Sequence, residues 1–181
     1  MQSYSYISRT LQINGKNFSE EAALAAGGVR VVLAEPGAGK TELLNSLALR
    51  LGVTRKRATI FRHLQAVPTL ALVIDGFDEV AKIDQSAIDA LIAKASESNA
   101  TNVVFSRRSS EWDDSRTRIV KECFGENVVV ARLQAFDERE QSLLFRDYLP
   151  EGNFEAFIAE ARRFELQGLL ANPQFLKLFA D

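Results

Sequence analysis

Short apolar runs alternate with longer amphipathic stretches over the first two thirds of the chain. The runs are rich in β-branched residues and too short for helices, so each predicts a buried strand. They are VRVVLA (29–34), LALVID (70–75), VVF (103–105) and VVVA (128–131). Strands that alternate with helices predict an α/β fold with a parallel sheet and right-handed crossovers.

The stretches between these runs place apolar residues on one face of a helix. The three sets are Leu43, Leu44, Leu47, Ala48 and Leu51; Ile88, Leu91, Ile92 and Ala95; and Ile119, Val120, Cys123 and Phe124. Gly52 and Gly125 are expected to end the first and third helices, and the second is expected to begin near Asp84. Residues 58–61 predict one further short strand.

The last quarter of the chain reads as helical throughout. Asp137 and Glu140 suit a capping box at the start of a helix that runs to Leu149. Asn172 and Pro173 suit the N-cap and first position of another helix.

This change of character predicts two units, residues 1–136 with the sheet and residues 137–181 as a small helical subdomain. The sequence stops within an apolar helix, so we expect a truncated subdomain and a fragment of a longer protein. The alternative is a complete domain whose last helix simply docks.

Composition narrows the class of protein. The chain has 181 residues, 46% of them hydrophobic, and 22 Lys and Arg against 24 Asp and Glu. The net charge of −2 argues against a general attraction to nucleic acid. One Cys and one His make a zinc site implausible, and one Cys excludes an internal disulfide. No apolar run is long enough for a membrane span or a signal peptide, so we expect a cytoplasmic protein.

A glycine-rich turn follows the first predicted strand and opens the first predicted helix. It reads AEPGAGKT (34–41) and fits the phosphate-binding loop, except that Ala34 stands where Gly is usual. Glycines let backbone N–H groups surround phosphate oxygens at a helix N-terminus. Lys40 would contact the β- and γ-phosphates, and the Thr41 hydroxyl would bind Mg²⁺. The predicted nucleotide-binding residues are Glu35, Pro36, Gly37, Ala38, Gly39, Lys40, Thr41 and Glu42. The alternative is an ordinary strand–turn–helix connection.

Three acids follow the second predicted strand. Asp75 ends the strand, where enzymes that transfer phosphoryl groups place an acid near Mg²⁺, and Asp78 and Glu79 come just after it. Carboxylates this close repel one another unless a cation lies nearby. Asp78 or Glu79 is a candidate for orienting an attacking water. The alternative is a buried strand that ends in an Asp75-Gly76 turn.

Two arginines follow the third predicted strand, at the edge where open α/β sheets bind ligands. Arg107 is a candidate for contacting a γ-phosphate, and Arg108 is expected to be a solvated loop residue. A further basic cluster, most simply a solvated surface, comprises Arg50, Arg55, Lys56, Arg57, Arg62 and His63.

Together these motifs resemble the NACHT family of signal-transduction NTPases, within the STAND group of P-loop ATPases. The resemblance spans about residues 28–181. It rests on EPGAGKT (35–41), LVIDGFDE (72–79), FSRR (105–108), LQAFDEREQSLLFRDYL (133–149) and LLANPQFLKLF (169–179). It implies a three-layer α/β/α P-loop core followed by a helical subdomain.

The resemblance also implies roles for individual residues. Lys40 and Thr41 would bind phosphate and Mg²⁺, Asp75 would hold the metal through water, and Asp78 or Glu79 would be the catalytic acid. Arg107 would be the polar sensor, and Pro173 would pack near the adenine. A leading segment with Tyr4, Tyr6 and Ile7 would also lie by the adenine. Members of the family switch between ADP and ATP forms, self-associate with ATP, and carry sensor and effector domains that this sequence lacks.

Three hypotheses remain open. The first is a switch that binds and slowly hydrolyses ATP with Mg²⁺. The second is a nucleotide-binding interaction module without useful hydrolysis, which the intact acids argue against. The third is a DNA-handling AAA-type ATPase, which the net charge argues against. The choice of ATP over GTP rests on the resemblance alone.

Overall fold

A computed structural model describes residues 6–81 and 86–181. It shows an α/β fold with a seven-stranded, mostly parallel mixed sheet. The strands are β1 (Thr10–Ile13), β2 (Lys16–Ser19), β3 (Gly28–Ala34), β4 (Lys56–Arg57), β5 (Ala71–Asp75), β6 (Asn102–Arg108) and β7 (Val128–Leu133). Their order across the sheet is β2-β1-β7-β3-β6-β5-β4.

Helices connect the strands of the sheet, and four more follow the last strand. They are α1 (Glu20–Ala25), α2 (Lys40–Arg50), α3 (Ala58–Phe61), α4 (Phe77–Ala81), α5 (Ala87–Ser96), α6 (Asp114–Phe124), α7 (Glu138–Tyr148), α8 (Phe154–Arg163), α9 (Gln167–Leu170) and α10 (Pro173–Ala180). A 3₁₀ turn, Ser109–Glu111, separates β6 from α6. None of the helices in the described residues is long and apolar enough to cross a membrane.

The four predicted strands and the three predicted amphipathic helices are confirmed. Each of these strands begins or ends within a few residues of its apolar run, and Gly125 caps α6 as expected. The expected start near Asp84 lies outside the described residues, and the helix is described from Ala87. The capping box of Asp137 and Glu140 at α7 is also confirmed.

Two expectations about the sheet are wrong. Residues 58–61 form a helical turn because Ala58 and Phe61, three positions apart, are buried together on one face. The sheet is not wholly parallel, because β1 pairs antiparallel with both β2 and β7. Asn14 and Gly15 join β1 to β2 with left-handed backbone angles, a two-residue hairpin that the Asn-Gly pair favours.

The core has layers on both faces of the sheet. Along β3, Val29, Val31 and Leu33 pack in one apolar cluster with α3 to α6, whereas Val32 and Ala34 pack in another with α1 and α2. Successive side chains of a strand point to opposite faces, so the two clusters lie on opposite sides. Burial on both faces explains why the strands read as unbroken apolar runs.

A third apolar cluster holds the C-terminal helices together. It is formed by Phe136, Leu144, Phe145, Phe154, Ile158, Ala161, Leu170 and Leu176. Ile7, from the other end of the chain, packs against it. The division into units 1–136 and 137–181 stays a prediction.

Candidate functional site

A cavity of about 580 Å³ lies where β3, β5 and β6 end. The loop before α2, the start of α10 and the N-terminal segment complete its walls. It is here called the loop cavity. Every predicted site residue lines it except Ala38 and Arg107. Those that do are Glu35, Pro36, Gly37, Gly39, Lys40, Thr41, Glu42, Asp75, Asp78, Glu79 and Pro173.

The loop has the backbone shape that its glycines allow. Gly37 and Gly39 have φ of +77° and +83°, in the left-handed region where a side chain is strained. Gly39 is the N-cap of α2, and no side chain of the described residues caps that helix. The amide groups of the first turn, at Lys40 and Thr41, are thus available to an anion in the cavity.

The start of α10 presses against this loop. The Asn172 amide Nδ2 donates to the Pro36 carbonyl over 2.8 Å, and its Oδ1 accepts from the Gln174 backbone as the helix cap. A Cβ built on Gly37 would lie 2.4 Å from Gln174 Oε1 and 2.8 Å from Asn172 Oδ1. Gly37 is therefore required by close approach as well as by its backbone angle.

Asp75 is buried at the end of β5 between two donors. Arg55 Nη1 lies 2.7 Å from Asp75 Oδ2, and the Ser106 hydroxyl donates to Oδ1. Ser106 in turn accepts from the Gly76 backbone N–H over 3.2 Å. Arg55 was expected to be a solvated residue of the basic cluster, and that expectation is wrong. The two donors fix the orientation of the carboxylate toward the cavity.

Asp78 and Glu79 have different surroundings, although they are neighbours. Asp78 is buried and shared by two cations, with Lys40 Nζ 3.3 Å from Oδ1 and Arg108 Nε 3.2 Å from Oδ2. Glu79 is exposed to the cavity and, among the residues that the structure describes, takes part in no ion pair. Glu79 is thus the acid with oxygens available for water.

Arg107 and Arg108, the last two residues of β6, point to opposite faces of the sheet. Arg107 shares its face with Phe105 and lines a second, separate cavity. Arg108 lines the loop cavity and pairs with Asp78. The structure therefore places Arg108, not Arg107, beside the predicted phosphate site, the reverse of the sequence expectation. Because successive side chains of a strand alternate, Arg107 and Arg108 must lie on opposite faces of the sheet. Both faces are buried, so the sequence does not indicate which face carries the phosphate-binding loop.

Arg9 is a residue of the site that sequence reasoning missed. It is buried, and it donates from Nη1 to the Ala38 carbonyl of the loop and from Nη2 to the Gln134 carbonyl, the latter over 2.7 Å. Its guanidinium lies 4.2 Å from the centre of the Phe136 ring. Burial lowers the pKa of Arg9, partly offset by the charge of Glu140. Arg9 thus fastens the loop to the segment that leads into α7.

Replacing Arg9 by Met should destabilise the protein by about 1–2 kcal/mol. The variant loses the charged hydrogen bonds of the guanidinium, and it also avoids the cost of burying a charge. We expect the loss of the hydrogen bonds to be the larger of the two effects. Urea unfolding of the variant would measure the change, with Arg139→Met, on the exposed side of α7, as the control. Equal stability of Arg9→Met and the control would contradict this account of the loop.

The N-terminal segment also reaches the cavity. Tyr6 and Ile7 line it, whereas Tyr4 lies outside the described residues; that this segment packs by an adenine stays a prediction. The Tyr6 hydroxyl donates to the buried Glu20 carboxylate. Burial raises the pKa of Tyr6, and the neighbouring Glu20 raises it further, so Tyr6 remains a neutral donor.

The donor set can be tested against Mg²⁺. The described residues contain no cluster of three or more His, Cys, Asp or Glu that would hold a metal alone. Thr41 and Asp75 do line the same cavity, one offering a hydroxyl and the other a carboxylate. Mg²⁺ is usually held by one or two such groups together with phosphates and waters, not by an all-protein cage. The residues present therefore fit Mg²⁺ that arrives with a phosphate ligand.

The chain matches no protein-family model, and it matches no curated protein.

Proposed function

We propose that this chain is a nucleotide-binding ATPase module with a P-loop fold, similar to the NACHT family. One observation carries the proposal. The uncapped N-terminus of α2, preceded by Gly37 and Gly39, opens into a cavity that also holds Lys40 and the acids at the end of β5. This arrangement supplies a phosphate cradle, a cation for phosphate and carboxylates for a metal in a single space.

Each side chain has a defined task in ATP hydrolysis. Lys40 would leave Asp78, 3.3 Å away, and contact the β- and γ-phosphates, where it stabilises developing negative charge. Arg108 would neutralise charge on the same side. Glu79 would accept a hydrogen bond from the attacking water and orient it toward the γ-phosphate.

Thr41 and Asp75 are the residues that would hold Mg²⁺. When bound, Mg²⁺ neutralises phosphate charge and stabilises the leaving oxygens. Ser106 holds the Asp75 carboxylate in place by its hydrogen bond. Arg55 forms an ion pair with the other oxygen of the Asp75 carboxylate. It would therefore compete with Mg²⁺ for the negative charge of Asp75.

Replacing Arg55 by Gln should lower the Mg²⁺ concentration needed for ATP to stabilise the protein, by about three- to tenfold. An ion pair of this exposure contributes on the order of 1 kcal/mol, and its loss frees Asp75. The measurement is the melting temperature at fixed ATP as MgCl₂ is varied. Arg57→Gln, which removes the same charge from an exposed neighbour, is the control. An identical Mg²⁺ requirement in both variants and the wild type would argue against Asp75 as the metal acid.

The walls of the loop cavity provide room for a base. Tyr6, Ile7, Phe136, Leu144 and Pro173 line it and supply the apolar part of its wall. An apolar lining with few polar groups suits a planar base. We propose ATP and ADP as the ligands, by resemblance. No residue identified in the wall separates adenine from guanine.

The wider role follows the same resemblance. As the nucleotide-binding part of a signalling ATPase, the module would hydrolyse ATP slowly and act as a switch in the cytoplasm. It would act within a longer protein with sensor and effector domains, and self-association would follow ATP binding. The contact of α10 with the loop gives such a switch a physical basis, because Asn172 and Gln174 lie against Gly37.

Turnover tests the enzyme proposal. We expect Mg²⁺-dependent release of phosphate from ATP by the wild type, and at least about a hundredfold less from Lys40→Ala, because that variant lacks the charge on the transferred phosphoryl group. Lys16→Ala, a change of an exposed lysine on β2, should match the wild type. Turnover that persists in Lys40→Ala would overturn the mechanism.

Two other functions remain as rivals. A binding module without hydrolysis would bind ATP through the same loop and release no phosphate above background, in the wild type or in the acid variants. A DNA-handling ATPase would bind DNA with a steep dependence on salt near physiological ionic strength. No observation on the described residues favours either rival over the ATPase proposal.

A further inference from the structure

A second cavity, of about 450 Å³, lies beside the end of β6, on the face of the sheet that carries Phe105 and α4. It is here called the Arg107 cavity. Its walls come from the end of β6, the 3₁₀ turn and the start of α6. They are formed by Ala81, Arg107, Ser110, Glu111, Trp112, Asp113 and Arg116. The ATPase proposal uses none of these residues.

Arg107 is a buried cation with unsatisfied donors. Its side chain is only 3% exposed, and neither Nε nor Nη1 has a hydrogen-bond partner among the described residues. Glu111 Oε2 lies 3.6 Å from Nε, which is an ion pair too long for a hydrogen bond. Buried polar groups in native proteins are satisfied almost without exception, by protein, water or a bound ion. Arg107 is therefore a buried cation in the wall of this cavity, and the described residues leave part of its guanidinium unsatisfied.

A second arginine faces the same space. Arg116 is 14% exposed, and it pairs with Asp89 at 3.8 Å, a long contact with a half-exposed acid. Burial lowers the pKa of Arg107, and the positive charge of Arg116 lowers it further. Two guanidinium groups that repel each other across a cavity are stabilised by an anion between them.

The two acids of the wall do not replace that anion. The Asp113 carboxylate already caps α6, accepting from the Arg116 backbone over 3.0 Å and from the Ser115 hydroxyl over 2.6 Å. Those hydrogen bonds hold the pKa of Asp113 below its usual range. Glu111 is 31% exposed, so water screens its pairing with Arg107.

We propose that the Arg107 cavity binds the phosphate group of a small molecule, between Arg107 and Arg116. The exposed Ser110 hydroxyl adds a donor at the rim, and the Trp112 ring offers an apolar wall for the rest of the ligand. The volume is in the range of ordinary ligand pockets. This site is separate from the loop cavity and does not depend on the ATPase proposal.

The cavity contains its own reporter. Trp112 is the only tryptophan of the chain, so its fluorescence reports this site alone. The experiment titrates inorganic phosphate at constant ionic strength and follows Trp112 emission, with chloride as the reference anion. The Lys40→Ala background removes phosphate binding at the loop cavity. We expect a saturable change in that background and in the wild type.

Variants of the wall then test which groups bind. Arg107→Gln should weaken the apparent affinity for phosphate by about tenfold or more, since it removes charged hydrogen bonds. Arg116→Gln should weaken it as well, which keeps the test decisive if Arg107→Gln folds poorly. Arg118→Gln, an exposed change on the same helix, should leave it unchanged.

The proposal is overturned if emission follows ionic strength alone, or if the saturable change survives both arginine variants. It is also overturned if the change disappears in Lys40→Ala, because the signal would then come from the loop cavity. A further arm compares inorganic phosphate with a sugar phosphate. Tighter binding of the ester supports a small-molecule ligand, and binding of free phosphate alone rules that ligand class out.

Discussion

Replacing Glu79 by Gln is expected to lower ATP turnover by about a hundred- to a thousandfold while leaving ATP affinity within about threefold. Positioned general bases contribute on this scale, and the exposed Glu79 carboxylate is the one with oxygens available for water. The amide keeps the size of the side chain and removes its charge. The measurements are steady-state phosphate release and equilibrium binding of ATP with Mg²⁺.

Asp78→Asn is the matched comparison, because it makes the same chemical change one position earlier. Asp78 holds Lys40 and Arg108, so its variant should weaken ATP binding and turnover together. If Asp78→Asn lost only turnover and Glu79→Gln behaved like the wild type, the roles of the two acids would be exchanged. This pair of variants therefore decides a choice that the sequence leaves open.

Replacing Gly37 by Ala is expected to destabilise the protein by about 2–4 kcal/mol and to remove stabilisation by ATP. The new Cβ would meet Gln174 and Asn172 at distances that real contacts do not reach, and the backbone is in the left-handed region. Relief requires either the loop or the start of α10 to move. Urea unfolding with and without ATP and Mg²⁺ measures both effects.

Gly52→Ala separates strain from collision. Gly52 has φ of +68°, similar to Gly37, but a Cβ there would have no neighbour within 4 Å. That variant should lose only about 1–2 kcal/mol and keep its response to ATP. Equal losses in the two variants would show that the contact between α10 and the loop contributes nothing.

Features with a local pattern could be predicted from the sequence. The strands of the parallel sheet are unbroken apolar runs because both faces are covered, and that pattern needs no knowledge of partners. The loop at 35–41 combines glycines, a lysine and a hydroxyl in fixed order, so its position before a helix follows directly. Asn172 and Pro173 predict the start of a helix from the sequence. The contact between Asn172 and Pro36 depends on the fold, so the sequence does not predict it.

Features that depend on distant partners could not be predicted. Arg9 donates to the carbonyls of Ala38 and Gln134, and Arg55 forms an ion pair with Asp75. The partners are far apart in the sequence, so no local pattern predicts these contacts. The first two strands are different, since Asn14-Gly15 is a recognisable hairpin signal. β1 and β2 lie at the edge of the sheet, and Leu11 is the one residue of the two strands that is fully buried. Their sequences therefore lack the apolar run that predicts the other strands.

Thermal melting with ATP and Mg²⁺ tests the central claim most directly. A ligand at about 100 times its dissociation constant stabilises a protein by roughly 2.7 kcal/mol. For a chain of this size, that corresponds to an increase of roughly 5–10 °C in melting temperature. We expect this increase in the wild type and in Lys16→Ala, and none in Lys40→Ala; the same melts with ADP and GTP rank the ligands. A folded wild type that shows no increase, or an equal increase in Lys40→Ala, would contradict nucleotide binding at the loop cavity.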